Sequence, residues 1–171
     1  MPAGADLTGL APLDRRRWVL AHALDPALSE LPPLPSQAAA RQILMTIAGV
    51  ESGCLHRRQV PVAYAMGFWQ FEKNGGVAGV LTHRATQALA RKAVEQRGLD
   101  HSAGAVWKAL EQDDVLAGIF ARLLLLSDPP ALPSGPDAAK ACYLRTWRPG
   151  KPCSASAWER SWEMARTAIA G

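Results

Sequence analysis

The chain has few cysteines, no long apolar run and no long run of like charge. Three cysteines among 171 residues do not support the disulfide scaffold that small secreted domains use. The most apolar stretch, residues 115–126, is interrupted by Gly118 and Arg122, so we expect no membrane-spanning helix and no membrane insertion. The longest basic run, Arg15 to Arg17, is typical of the solvated face of a helix.

The first 13 residues lack the positively charged leader and apolar segment of a secretory signal. We therefore expect a protein made in the cytoplasm without a signal peptide. Its cysteines fit that compartment, although Cys142 and Cys153 could pair across a turn in oxidising surroundings. The net charge of +4 and the pI near 9.3 suit an anionic polymer. Nucleic acid and bacterial cell wall both fit this charge, so charge alone does not choose between them.

Helical periodicity dominates the chain, and we expect an all-α fold of roughly seven to nine helices in a single compact domain. Residues 1–35 are expected to form an N-terminal helix that stops at Asp25-Pro26, followed by a proline-rich link packed on the main domain. Residues 36–171 are expected to form that main domain. Its first long helix is predicted to begin after Ser36 as the N-cap residue.

A candidate catalytic carboxyl group, Glu51, ends this amphipathic helix. Apolar residues recur along it at the three- and four-residue spacing of one helix face: Ile43, Leu44, Ile47 and Val50. The negative end of a helix disfavours a carboxylate, and apolar walls such as Phe68 and Trp69 would raise its pKa further, as a general acid requires near neutral pH. Gly53 is predicted to end the helix in the left-handed conformation.

These residues carry a family resemblance. Glu51-Ser52-Gly53, followed after a loop by Gly67-Phe68-Trp69-Gln70-Phe71, resembles the lysozyme-like superfamily, especially lytic transglycosylases and goose-type lysozymes, whose signature is Glu-Ser, a gap, and Gly-Leu-Met-Gln. The resemblance covers residues 37–152 and implies an α+β lysozyme-like fold with a much reduced β-lobe. It implies that Glu51 is the catalytic acid. The substrate-binding residues that it implies are Ser52, Gly67, Phe68, Trp69 and Gln70.

Two later segments agree with the resemblance. Residues 113–126 look like the helix that backs the catalytic helix in the family. Ala141-Cys142-Tyr143 and the following residues 147–152 look like the family's Ala-Tyr-Asn-Ala-Gly-Pro-Gly segment, which makes Tyr143 a substrate-binding tyrosine of the cleft. The asparagine of that segment is absent, the spacing before its glycine is longer, and Trp69 replaces the methionine of the earlier motif.

Glu72 is a second candidate catalytic carboxyl group. Glu51 and Glu72 are the only acids between Glu30 and Glu95. In goose-type lysozymes an acid at this place helps to hold the attacking water, and an inverting hydrolase needs two carboxylates roughly 6.5–9.5 Å apart. Alternatively, Glu72 pairs with Lys73 or a loop arginine. Glu51 would then act alone, taking a proton from the 6-hydroxyl of the sugar as transglycosylases do.

The resemblance therefore implies a glycosidase that cleaves the β-1,4 bond between N-acetylmuramic acid and N-acetylglucosamine in peptidoglycan glycan strands. Cys54 and His56 have no second ligand pair at zinc spacing, and Gly75-Gly76 lacks the Lys-Ser/Thr of a phosphate loop, so we expect no metal and no cofactor. A non-catalytic sugar-binding or virion structural module, a chitinase-like or chitosanase-like hydrolase, and a basic helical nucleic-acid binder are the alternatives. The resemblance also implies a phage endolysin, which a holin or a virion would deliver to the wall.

Overall fold

Helices account for most of the computed structural model, which describes residues 4–171. The helices are α1 (Pro12–Val19), α2 (Asp25–Glu30), α3 (Gln37–Ser52), α4 (Ala78–Thr82), α5 (Gln87–Glu95), α6 (Ala103–Ala109), α7 (Asp114–Leu126), α8 (Pro136–Thr146) and α9 (Ala155–Ala170). Two π-helical turns, Leu20–Leu24 and Lys73–Val77, lead into α2 and α4. Strands β1 (Ala65–Met66) and β2 (Phe71–Glu72) pair antiparallel. The predicted mostly helical fold is confirmed.

Helix α7 is the central element of the core. Every residue from Val115 to Leu125 is buried, and α7 contacts α2, α3, α4, α5 and the first π-helical turn. A helix that is apolar on all sides requires such an enclosed position. Asp113 begins it as predicted, because its side chain accepts a hydrogen bond of 2.8 Å from the Leu116 amide. Within residues 4–171, no helix has the length and apolarity needed to cross a bilayer.

The N-terminal segment differs from the prediction in one respect. Asp25-Pro26 does not end the first helix, because a π-helical turn carries the chain on into α2. The Asp25 amide donates to the Leu20 carbonyl, and Pro26 then occupies the first turn of α2, where a missing N–H is tolerated. Helix α1 packs on α9, and α2 packs on α7. Residues 1–3 of the predicted N-terminal unit lie outside the described residues.

The start of α3 also differs from the prediction, whereas its end does not. Ser36 has a left-handed backbone with φ of 58°, and its side chain makes no capping hydrogen bond. Its carbonyl accepts the Ala40 amide instead. Gly53 ends α3 with φ of 63°, as predicted. Glu51 therefore lies in the last turn of α3.

Gly49 allows α3 to approach α1 and α9 closely. A methyl group at this position would overlap Ser161 Oγ and the guanidinium of Arg16. These groups form a buried chain, in which Arg16 Nη2 donates to Ser161 Oγ at 3.2 Å and Ser161 Oγ donates to the Thr46 carbonyl at 2.8 Å. Close packing at Gly49 thus fixes α3 about one turn before its end, next to Glu51.

We predict that Gly49→Ala destabilises the protein by about 1–3 kcal/mol, because overpacking outweighs the higher helix propensity of alanine. Gly79→Ala is the matched control, since nothing lies within 4 Å of its added methyl group. The free energy of unfolding of the control should rise by about 0.5–1 kcal/mol. Urea unfolding measures both changes, and an equal gain in the two variants would contradict the packing at Gly49.

Candidate functional site

A cleft of about 1500 Å³ opens beside the C-terminal end of α3. One wall comes from residues between 56 and 76, which include the loop before β1 and strand β2. The other wall is formed by every residue from Tyr143 to Ser154; we call this segment the α8–α9 wall. Residues at the end of α7 and just after it also line the cleft: Leu124, Ser127, Asp128 and Pro129.

Glu51 reaches this cleft from the last turn of α3. Tyr143 Oη donates a hydrogen bond of 2.6 Å to Glu51 Oε1. Burial raises the pKa of Glu51, the Tyr143 hydrogen bond lowers it in part, and the charge of Glu72 raises it. The net shift is upward, which is the direction that a general acid near neutral pH requires.

Tyr143 holds Glu51 rather than offering its ring to a ligand. It is 2% exposed, and its ring stacks on Trp158 at a centroid distance of 5.2 Å. Burial and the neighbouring Glu51 raise the pKa of Tyr143 well above its ordinary range. The phenol therefore stays protonated and remains a hydrogen-bond donor to the carboxyl group. Tyr143 was predicted to bind substrate; in the structure it lines the cleft, but its ring is buried against Trp158.

The predicted contacts of Phe68 and Trp69 with a sugar are wrong. Both side chains are 0% exposed. Trp69 Nε1 donates to the Leu44 carbonyl at 2.9 Å, and the Phe68 ring lies 4.5 Å from the guanidinium of Arg57. The turn between β1 and β2 folds its two large aromatic side chains inward, onto α3 and the core, because burial of their apolar area is stabilising.

Ser52 and Gly67 are also structural, contrary to the prediction that they bind substrate. Ser52 Oγ is buried and donates to the Phe68 carbonyl at 2.7 Å, which ties the end of α3 to the turn. Gly67 has φ of 74°, and a methyl group on it would lie 3.0 Å from Ala117 Cβ and 3.2 Å from the Leu110 carbonyl. Glycine is required there for both reasons.

Gln70 and Glu72 line the cleft with Glu51. Gln70 Nε2 donates to the Gly67 carbonyl at 2.8 Å, so its amide is oriented. Glu72 is exposed at the end of β2. The alternative pairing of Glu72 with a nearby cation is not seen in residues 4–171, where the loop arginines have other partners. Arg57 binds Asp114 at 2.7 Å, and Arg58 binds Glu111 at 3.1 Å.

Several cleft residues were not predicted. Trp147 lines the cleft, and its Nε1 donates to the Trp69 carbonyl at 2.9 Å. Asp128 binds Arg145 at 2.9 Å and accepts a hydrogen bond from Cys142 Sγ at 3.5 Å. No local pattern joins Asp128 to α8, so sequence periodicity could not have found this pair. In the sequence, Trp147 was noted only as the first residue of the segment 147–152 that resembles the family motif, and no role was predicted for it.

The cysteines are unpaired, and the thiols of Cys142 and Cys153 lie in or beside the cleft. All three cysteines are free. Burial raises the pKa of Cys142 to about 11 and also raises that of Cys153, so both groups are thiols rather than thiolates near neutral pH. Among residues 4–171, no group of three or more potential metal-ligating side chains is present.

A scan against protein-family models and searches of curated proteins and of solved structures find no significant match to this chain. The resemblance to the lysozyme-like superfamily therefore rests on the motif residues. What the site can do must be argued from its own geometry and chemistry.

We predict opposite shifts in the pKa of Glu51 from two substitutions. Tyr143→Phe removes a hydrogen bond to the carboxylate and should raise that pKa, whereas Glu72→Gln removes a negative charge and should lower it. Carbon-13 NMR titration of the Glu51 carboxyl group measures both shifts. Tyr64→Phe, at an exposed tyrosine, is the control and should leave the pKa unchanged. Shifts of the same sign from the two cleft variants would contradict the arrangement.

We also predict how Glu51→Gln changes stability with pH. Because folding raises the pKa of Glu51 above its value of 4.5 in the unfolded chain, the native state binds more protons, and its stability falls as pH rises through that window. The side-chain amide of the variant cannot ionise, so its burial carries no such cost, and its oxygen still accepts the Tyr143 hydrogen bond. The variant should therefore gain stability relative to wild type in urea unfolding as the pH rises above about 4.5. A wild-type advantage that grows with pH would contradict this.

Proposed function

We propose that this protein is a peptidoglycan-cleaving glycosidase of the lysozyme-like superfamily, a lytic transglycosylase or a muramidase. It cleaves the β-1,4 bond between N-acetylmuramic acid and N-acetylglucosamine, with Glu51 as general acid and base. The observation that carries the proposal is the Glu51 carboxyl group, whose pKa is raised and which Tyr143 holds at 2.6 Å beside a large cleft. The cleft volume of about 1500 Å³ exceeds the roughly 300–1,000 Å³ of small-molecule pockets and suits a polymer.

In the first step Glu51 protonates the glycosidic oxygen. Because Oε1 accepts the Tyr143 hydrogen bond, the acidic proton belongs on Oε2, which is the oxygen that delivers it to the sugar. Cleavage of the bond leaves positive charge on the ring and negative charge on Glu51. The Tyr143 hydroxyl stabilises the new carboxylate, and that carboxylate stabilises the sugar cation.

In the second step a carboxylate takes a proton from the attacking hydroxyl group. If water attacks from the opposite face of the sugar ring, the product has a reducing end, and Glu72, which also lines the cleft, is the carboxylate that can hold the water and take its proton. If the 6-hydroxyl of the same sugar attacks, an anhydro ring closes, and Glu51 alone suffices. The role of Glu72 thus follows from the nature of the product.

A sugar-binding or virion structural module without catalysis is the second candidate. The observation that favours it is the small β region, where each strand has two residues and where Phe68 and Trp69 are buried. Such a region offers little aromatic surface for holding a sugar under strain. Delivery through a phage holin or inside a virion belongs to either candidate.

We predict that Glu51→Gln lowers the release of soluble fragments from purified peptidoglycan by at least about 10²-fold, because a positioned general acid contributes about that much. Glu163→Gln is the matched control, since Glu163 is exposed and binds Arg166 at 2.7 Å on α9. The control should retain wild-type release. Wild-type release by Glu51→Gln would contradict the proposal.

Mass spectrometry of the same digests separates the two chemical routes. Anhydro-muramyl ends that disappear in Glu51→Gln would assign a lytic transglycosylase, in which Glu72→Gln keeps its activity. Reducing ends would assign a hydrolase, in which Glu72→Gln loses activity. Binding to the wall without any release by wild type would assign the non-catalytic module.

A further inference from the structure

The α8–α9 wall is basic. Residues 143–154 contain Arg145, Arg148 and Lys151 and no acidic residue, and all of them line the cleft. Among the other residues that line the cleft, Glu72 is acidic and exposed. A cleft that carries fixed charges of this kind orients a charged polymer that enters it.

Two of the three cations on this wall are not neutralised. Arg145 binds Asp128 at 2.9 Å, so its charge is compensated. Arg148 and Lys151 are exposed, and within residues 4–171 neither has a carboxylate inside the 4.0 Å that defines an ion pair. Arg148 is further fixed by a left-handed backbone with φ of 48° and by a hydrogen bond of 3.2 Å from its Nε to the Arg145 carbonyl.

The chemistry of the ligand follows from these charges. Cations at the rim of a sugar cleft favour anionic groups carried beside the sugar chain. Muramyl residues carry such groups, because their lactyl side chain ends in a carboxylate or extends into a stem peptide that has carboxylates of its own. Chitin, a polymer of N-acetylglucosamine, has no carboxylate at this place. Guanidinium and ammonium groups are the natural partners of carboxylates.

We propose that Arg148 and Lys151 bind the carboxylates carried on the lactyl side of muramyl residues, and that they select carboxylate-bearing glycan strands over neutral chitin. This inference rests on the proposed function, because it takes a glycan strand as the ligand of the cleft. Arg148 and Lys151 act on binding and specificity and do not touch the bond that is cleaved. Since both side chains are exposed, their contribution should weaken with salt.

The test measures binding in a Glu51→Gln background, so that no ligand is consumed. The probes are intact sacculi, sacculi stripped of stem peptides by an amidase, and chitohexaose. Arg148→Gln/Lys151→Gln should bind sacculi about tenfold more weakly at low salt, as two exposed ion pairs of about threefold each would give. Binding to chitohexaose should not change. Lys151→Gln alone should show about a threefold loss.

Arg91→Gln/Lys92→Gln is the matched control, because it removes the same charges from exposed positions on α5, outside the cleft lining. Weaker binding to intact sacculi alone would assign the stem peptide as the source of the carboxylate. Weaker binding to stripped sacculi alone would assign the lactyl carboxylate that the amidase frees, and weaker binding to both kinds would show that the site takes either carboxylate. All three results support the proposal. No loss, an equal loss on chitohexaose, or an equal loss in the control would overturn it.

The outcome is separable from that of the proposed function. Fragment release is measured on the protein with Glu51 intact. If nothing is released while Arg148→Gln/Lys151→Gln still weakens salt-dependent binding to sacculi, the enzymatic proposal fails and the carboxylate site stands. If fragments are released but the double variant binds and cleaves sacculi as wild type does, the carboxylate site fails and the enzyme stands.

Discussion

The partial burial of the Glu51 carboxyl group is the constraint on which the rest of the site depends. A half-buried acid is costly to ionise, and the hydrogen bond of 2.6 Å from Tyr143 offsets part of that cost. Glu51 and Tyr143 are 92 positions apart in the chain and belong to α3 and α8. The contact therefore exists only when both helices are in place. Gly49 fixes α3 against α9, and Trp158 of α9 stacks on Tyr143. One helix thus positions both members of the pair.

How far the sequence predicts this structure depends on the range of the interactions involved. The end of α3 at Gly53 and the start of α7 near Asp113 were correctly predicted, because each is decided by a few neighbouring residues. The continuation of the first helix past Asp25-Pro26 was not predicted, because residue propensities do not indicate a π-helical turn. The general fold class followed from periodicity alone.

The site itself was predictable only in part. Glu51 and Tyr143 were named from motif residues, and the structure brings them together. The aromatic residues of the β1–β2 turn were misassigned, because a motif gives residue types but not the side of the turn that faces solvent. Phe68 and Trp69 pack inward, whereas Trp147 is the tryptophan that lines the cleft. The ion pair of Asp128 with Arg145 joins the loop after α7 to α8 and has no local signal. The same holds for the uncompensated charges of Arg148 and Lys151, since a missing partner is visible only in three dimensions.

The central claim is that Glu51 delivers a proton to a glycosidic oxygen bound in this cleft. The most direct measurement is a crystal structure of Glu51→Gln with a muropeptide tetrasaccharide. The account predicts a glycosidic oxygen within about 3.2 Å of the side-chain amide at position 51, with the tetrasaccharide lying between β2 and the α8–α9 wall. A tetrasaccharide bound elsewhere, or bound in the cleft with every glycosidic oxygen beyond hydrogen-bond reach of position 51, would contradict it.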